Sequence, residues 1–96
     1  FEEYLFVHAG FNDSEINPFA DKYSMIWLCK QTYENPLLMN KILIHGHRPI
    51  SVDVCKEIVH SNKNVIILDT GCVYSNMTGY GTLTAIELNT RSLYFA

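Results

Sequence analysis

Apolar residues fall along this chain in short, closed runs. Tyr4-Leu-Phe-Val-His-Ala stops at Gly10, Lys41-Ile-Leu-Ile-His stops at Gly46, and Val65-Ile-Ile-Leu stops at Asp69-Thr-Gly. Continuous β-prone runs of this length, each ended by a turn residue, predict buried strands that deliver their last residues to a loop. His8 stands at the end of the first strand. Between the first two runs, residues 12–18 are rich in Asn, Asp, Ser and Pro and predict a loop. Asp21 is placed to cap a short helix through Tyr23, Met25, Ile26 and Trp27, and Pro36 ends what precedes it. Ser51 to Ile58 sets Val52, Val54 and a later Ile58 among polar residues, a strand-like alternation, and Asn62-Lys-Asn predicts a turn. After a loop over residues 75–81, Leu83 to Leu88 alternates as a strand, Asn89 to Ser92 turns the chain, and Leu93-Tyr-Phe predicts the last strand. No repeat, linker or low-complexity tract divides the chain, so residues 1–96 read as one strand-dominated unit with one or two helices, of α/β (α+β) class.

Composition narrows the function classes. At 96 residues there is room for one modest core, and an apolar share of 48% is that of a folded chain. The formal net charge is -3, and seven Lys and Arg are scattered singly, which leaves no basic face for a nucleic-acid backbone. Three cysteines, Cys29, Cys55 and Cys72, are odd in number and form no CxxC pair, so they read as reduced thiols. No apolar run approaches the roughly 20 residues of a membrane helix, and Phe1-Glu-Glu lacks the basic start of a signal peptide. These features predict a cytoplasmic protein with no membrane partner. A start at Phe1, almost directly on a strand, reads as a fragment or a processed half.

The three strand-ending loops carry the candidate chemistry: His8-Ala-Gly, His45-Gly-His-Arg-Pro and Asp69-Thr-Gly. If the strands are neighbours, these loops crowd one rim of a sheet, where α/β proteins place ligands. Neutral imidazoles there can converge on a divalent metal, and the glycines allow the backbone to approach a bound anion. Beside this stands a plainer reading in which a strand-end histidine is only hydrogen-bonded structure. His45 suits a packed or supporting role, His60 a surface one, and Arg48 a solvated one. Cysteine-based phosphate chemistry is disfavoured, because Cys72 is followed by Val-Tyr-Ser-Asn-Met and no arginine comes before Arg91. Neither a GxSxG elbow nor a P-loop occurs.

Taken in order, Phe6-Val-His-Ala-Gly, Met25-Ile-Trp-Leu, Ile44-His-Gly-His-Arg-Pro, Leu68-Asp-Thr-Gly-Cys-Val-Tyr and Gly81-Thr-Leu-Thr-Ala-Ile-Glu-Leu resemble the second half of the calcineurin-like metallophosphoesterases. The likeness covers nearly the whole chain and is nearest to the bacterial serine/threonine phosphatase and symmetrical diadenosine tetraphosphatase branch. It implies a four-layer sandwich of two sheets flanked by helices, of which this chain supplies mainly the C-terminal sheet. It further implies two divalent metals (Mn, Fe, Zn or Ni) in the complete enzyme, with His8 and His47 binding the same one. Tyr74 becomes a candidate for contact with the phosphate or its leaving group, and Asp69 one for orienting its loop through backbone hydrogen bonds. The implied activity is hydrolysis of a phosphate ester, in a phosphoprotein or a dinucleoside polyphosphate, by a hydroxide held between the metals.

Departures from the family's pattern carry as much weight. The earlier motifs GDxHG, GDxVDRG and GNHE, which supply the remaining metal ligands and the leaving-group acid, do not occur here. Where many relatives have GHTP, this chain has Gly46-His47-Arg48-Pro49, which sets an arginine beside the implied metal ligand, either to grip phosphate or to face solvent. Where relatives place an arginine after the Trp-containing run, it has Lys30, which lacks the bidentate fork. The resemblance therefore predicts that the chain alone is inactive and that the missing N-terminal half of the domain is its partner. An alternative from another class is a catalytically inactive structural or interaction module that associates through an exposed sheet edge.

Overall fold

The computed structural model describes residues 3–96. Phe1 and Glu2, on which the reading of the N terminus partly rests, lie outside the described residues. In chain order the elements are β1 (Tyr4–Val7), a 3-10 turn (Pro18–Ala20), α1 (Lys22–Trp27), β2 (Ile42–His45), α2 (Val52–His60), β3 (Val65–Ile67), β4 (Thr84–Ile86) and β5 (Leu93–Phe95). The first three strands form a parallel sheet in the order β1-β2-β3, with Tyr4 opposite Ile42, Val7 opposite His45 and Leu43 opposite Val65. The last two form an antiparallel hairpin, Thr84 opposite Phe95. The described residues thus form a mixed α/β unit with two sheets and two α-helices. No helix among the described residues is long and apolar enough to cross a membrane.

Parallel neighbours cannot be joined by a tight turn, so the chain must leave the sheet and return between strands. Those returns cover both faces. Because side chains alternate across a strand, Leu43 and Val65 face one way, where Phe11 and Leu38 pack on them, with Leu5, Val7, Met25 and Tyr33 around the edge. Ile44 and Ile66 face the other way, against Cys55 and Val59 of α2, and the hairpin adds Ile86 and Leu93 to that cluster.

Two expectations require correction. The segment over Ser51–Ile58 is a helix, not an alternating strand. Ser51 accepts the Val54 N–H through its hydroxyl as N-cap, and Asp53 sits favourably in the first turn. The sheet-facing residues are Cys55, Ile58 and Val59, at helical spacing, whereas Val54 is exposed. The first strand is also less buried than its composition suggests. β1 is an outer strand and Phe6 is 57% exposed.

Loops are held by short side-chain to backbone bonds. Asp21 caps α1, accepting from the Ser24 N–H at 3.1 Å and the Ser24 hydroxyl at 2.7 Å. The Asp13 carboxylate accepts from the backbone N–H of Glu34 at 2.9 Å and of Asn35 at 2.9 Å. The Asn35 amide answers by donating to the Glu15 carbonyl at 2.6 Å. Those two backbone hydrogen bonds are the main reason the Asp13 carboxyl lies below the usual carboxylate range.

Leu43 is 1% and Ile66 0% exposed, one on each face of the sheet. Truncation of either to alanine is expected to cost about 2–5 kcal/mol in chemical denaturation, while Ile16→Ala, at a side chain 95% exposed, stays within about 0.5 kcal/mol. Equal effects at all three positions would contradict this packing. A second expectation follows from Asp13. Its folded-state pKa is depressed, so its contribution is present at neutral pH and is lost as pH falls through that value. The protection factors of the Glu34 and Asn35 amides, taken against their intrinsic exchange rates at each pH, should therefore fall on acidification before the core opens, and Asp13→Asn should lower the same two at neutral pH.

Candidate functional site

The parallel ladder outlasts the strands by one step. Beyond β1 and β2, the Gly46 N–H donates to the His8 carbonyl at 2.9 Å, and beyond β2 and β3 the Leu68 N–H donates to the His45 carbonyl at 2.9 Å. All three strand-ending loops are thereby fixed on one rim. Immediately after Gly46 the backbone folds back: the Arg48 N–H donates to the Gly46 carbonyl at 2.8 Å across His47, whose φ is 69°. A turn closed across one residue with positive φ is a rare, strained γ-turn. Such strain in a residue other than glycine costs on the order of 1–3 kcal/mol and persists only where the surroundings enforce it.

The turn returns the His47 ring to the end of β1. Nε2 of His8 lies 2.9 Å from Nδ1 of His47, with ring centroids 4.8 Å apart and the planes 67° to one another. Two neutral imidazoles make this contact when one donates and the other accepts. The same pair of nitrogens suits a cation. Bonds of about 2.0–2.1 Å to one ion put adjacent octahedral ligands about 2.9 Å apart and tetrahedral ones about 3.3 Å apart. The residues thus fit two positions of a divalent-metal site. They do not complete one, because no group of three or more His, Cys, Asp and Glu able to hold a metal occurs among the described residues.

Helix α1 completes the surroundings. The Ala9 N–H donates to the Met25 carbonyl at 2.9 Å, tying the helix to the residue after His8. Gly10 permits the close approach: a Cβ there would lie 2.4 Å from the Leu28 carbonyl oxygen and 2.5 Å from the Tyr33 hydroxyl. In this position the Trp27 ring meets that of His47 at a centroid distance of 5.7 Å and an angle of 84°. A shallow, open depression of about 610 Å³ lies beside the two imidazoles, lined also by Phe6, Ile44, Leu68, His45 and Asp69.

The other sequence candidates divide. His45 is buried, and its Nδ1 lies 2.9 Å from the Gly46 carbonyl, which can only accept, so Nδ1 carries the proton. Burial lowers its pKa, the Gly46 hydrogen bond partly offsets this, and the nearby His47 and His8 add to the lowering, so the neutral ring is favoured. Asp69 accepts from the Gly71 N–H at 3.0 Å and so orients its own loop. Arg48 is exposed beside His47 and makes no ion pair among the described residues. Lys30 is turned elsewhere, with Nζ 4.0 Å from the Asp13 carboxylate. Tyr74 is half exposed in the loop after β3, where its N–H bonds the Gly71 carbonyl at 2.7 Å, and it does not line the histidine depression. His60 ends α2 on the surface. Cys29, Cys55 and Cys72 are all free thiols. Sequence reasoning missed Trp27 as a neighbour of His47. The signal available was its place as the last residue of a capped helix short enough to leave its last turn at the rim.

Because glycine adopts positive φ at little cost, His47→Gly should relieve the turn. Thermal unfolding is expected at or above that of the parent, by up to about 1 kcal/mol, or roughly 4–8 °C in a domain of this size. His47→Ala keeps a Cβ and should melt below His47→Gly. A glycine variant that melts well below the parent would show that the ring contacts to His8 and Trp27 outweigh the strain.

No family model, curated protein or solved structure matches this chain.

Proposed function

We propose that this chain is the C-terminal part of a metal-dependent phosphoesterase of the calcineurin-like type, and that it carries two imidazole ligands of a divalent-metal site whose other ligands come from a further segment. One observation carries the proposal: His8 and His47, from the ends of adjacent parallel strands, meet at 2.9 Å, and His47 does so in a strained γ-turn. An energetic cost borne at one residue of a rim cluster is the kind of outlier from which function is argued. The sequence motifs that suggest the family place the same two histidines on one metal.

In this reading the two rings fix the position of a cation such as Mn, Fe, Zn or Ni. A bound divalent pair supplies Lewis acidity at the phosphoryl oxygens and lowers the pKa of water, so that a nucleophile exists near neutral pH. The chain's own residues do the rest that can be assigned. His45 stays neutral behind Gly46, adding no charge that would compete with the cation. Asp69 holds the β3 loop, and Arg48 offers an exposed guanidinium beside His47 for a phosphate oxygen. Lys30 and Tyr74 remain weaker substrate candidates, since the former pairs with Asp13 and the latter stands apart from the depression. The three-stranded sheet, its helices and the hairpin would form part of the four-layer sandwich. In support, the accessible surface is 6312 Å², against about 5,600 Å² for a compact monomer of this mass. The smallest dimension is only 18 Å.

A second reading, an inactive module that associates through a sheet edge, is favoured by the outer position of β1 and the exposure of Phe6. Zinc titration followed by calorimetry and by the histidine ring signals in NMR separates the two. The expected result is weak 1:1 binding that His8→Ala and His47→Ala each abolish and His60→Ala leaves intact, with no turnover of p-nitrophenyl phosphate or diadenosine tetraphosphate by the chain alone. Binding that survives the double His8, His47 substitution, or a metal-independent dimer with no zinc binding, would overturn the phosphoesterase reading in favour of the module.

A further inference from the structure

Helix α1 is inside out by the usual pattern. Its buried residue is Ser24, whose hydroxyl is occupied by Asp21, whereas Tyr23, Ile26 and Trp27, spaced i, i+3 and i+4 on one face, are 74%, 47% and 55% exposed. An exposed tryptophan leaves a large apolar area in water. Here it is the chain's single tryptophan, and it touches one of the two rim imidazoles.

The ring geometry leaves Trp27 available. At 84° to His47, either the imidazole edge meets one indole face or the indole edge meets the imidazole face. In both arrangements at least one face of the indole is clear of His47. Tyr23 stands one helical turn back, its ring centroid 6.5 Å from that of Trp27 and tilted by 43°. The rim therefore presents two imidazoles and, directly beside them, the Trp27 indole, with the tilted Tyr23 ring one turn further along α1.

We propose that Trp27 is a stacking shelf for a flat aromatic leaving group on the phosphate ester, so that the site favours aryl phosphates or nucleotides over alkyl phosphates. This rests on the phosphoesterase reading above. A phosphate held at His8 and His47 carries its leaving group outward through one ester oxygen. An aryl ring attached to that oxygen falls within reach of a ring whose centroid is 5.7 Å from His47. A nucleobase, separated from phosphorus by its sugar, extends further, toward Tyr23. Stacking of this kind accepts any planar ring, because every such ring has a π face. Trp27 contacts the leaving group and takes no part in bond making, so its effect falls on affinity for the ring-bearing ester.

The test uses the chain with saturating Zn²⁺ and four probes: inorganic phosphate, methyl phosphate, phenyl phosphate and adenosine 5′-monophosphate. Affinity is read by calorimetry and contact by the indole Nε1–H signal in NMR. Phenyl phosphate and the nucleotide are expected to bind roughly tenfold more tightly than methyl phosphate and to shift the indole signal. Trp27→Leu should bring phenyl phosphate down to the affinity of methyl phosphate measured on the same variant, and Trp27→Phe should retain part of the preference. Tyr23→Ala weakens the nucleotide alone if the base reaches the second ring. Equal binding of phenyl and methyl phosphate, or a preference that survives Trp27→Leu, overturns the shelf while leaving the metal half-site standing. Failure of every phosphate to bind in the presence of zinc overturns both.

Discussion

The site depends on one backbone hydrogen bond, from the Gly46 N–H to the His8 carbonyl. Without it β1 and β2 would diverge after Val7 and His45, and the two imidazoles would belong to unrelated loops. With it, the ladder register reaches one residue past each strand, and the turn at His47 needs only to fold back over a fixed neighbour. The register of a parallel sheet is in turn fixed by burial. A slip of one residue would turn Leu43 and Ile44 to each other's faces and undo both core clusters.

Both faces of a three-stranded sheet are covered by a chain of 96 residues, and this shapes the rest of the molecule. The Phe11 side is closed by Met25 of the short α1, which Asp21 caps, and by irregular chain ordered through Asp13 and Asn35. The α2 side is closed by a regular helix and by the hairpin, which shares no ladder with the parallel sheet. Side chains fasten the hairpin instead. Thr70 bonds the Thr82 carbonyl and the Thr84 hydroxyl, and Lys56 of α2 sits 5.3 Å over the Phe95 ring. With so much chain committed to the two faces, none is left to cover the rim, and His8, Trp27 and Phe6 remain in solvent.

The strands were legible because each apolar run is closed by a glycine or by Asp-Thr-Gly, and because a continuous run suits a strand buried on two sides. The cap at Asp21 and the supporting roles of Asp69 and His45 were legible from residue type and position. Helix α2 was not. Val52 and Val54 imitate a strand, and only the three-residue and four-residue steps from Cys55 to Ile58 and Val59 reveal the helix. The exposure of Phe6 follows from strand order, which no local pattern states. The pairing of His8 with His47 was suggested by family likeness and by the plan of the loops, but the γ-turn that achieves it has no local signature. Histidine at positive φ is uncommon, and neither Gly46 nor Pro49 demands it.

The meeting of His8 and His47 also has a topological meaning. The two residues are 39 apart in sequence, so anything that grips both rings closes a loop containing α1 and most of the face built by Phe11 and Leu38. In the chain-entropy picture, a permanent link across 39 residues removes about 4 kcal/mol of freedom from the unfolded chain. A reversible link gives only what its affinity for the folded state allows. A cation bound by both rings would thus act as a staple, on the half of the fold with the least regular structure.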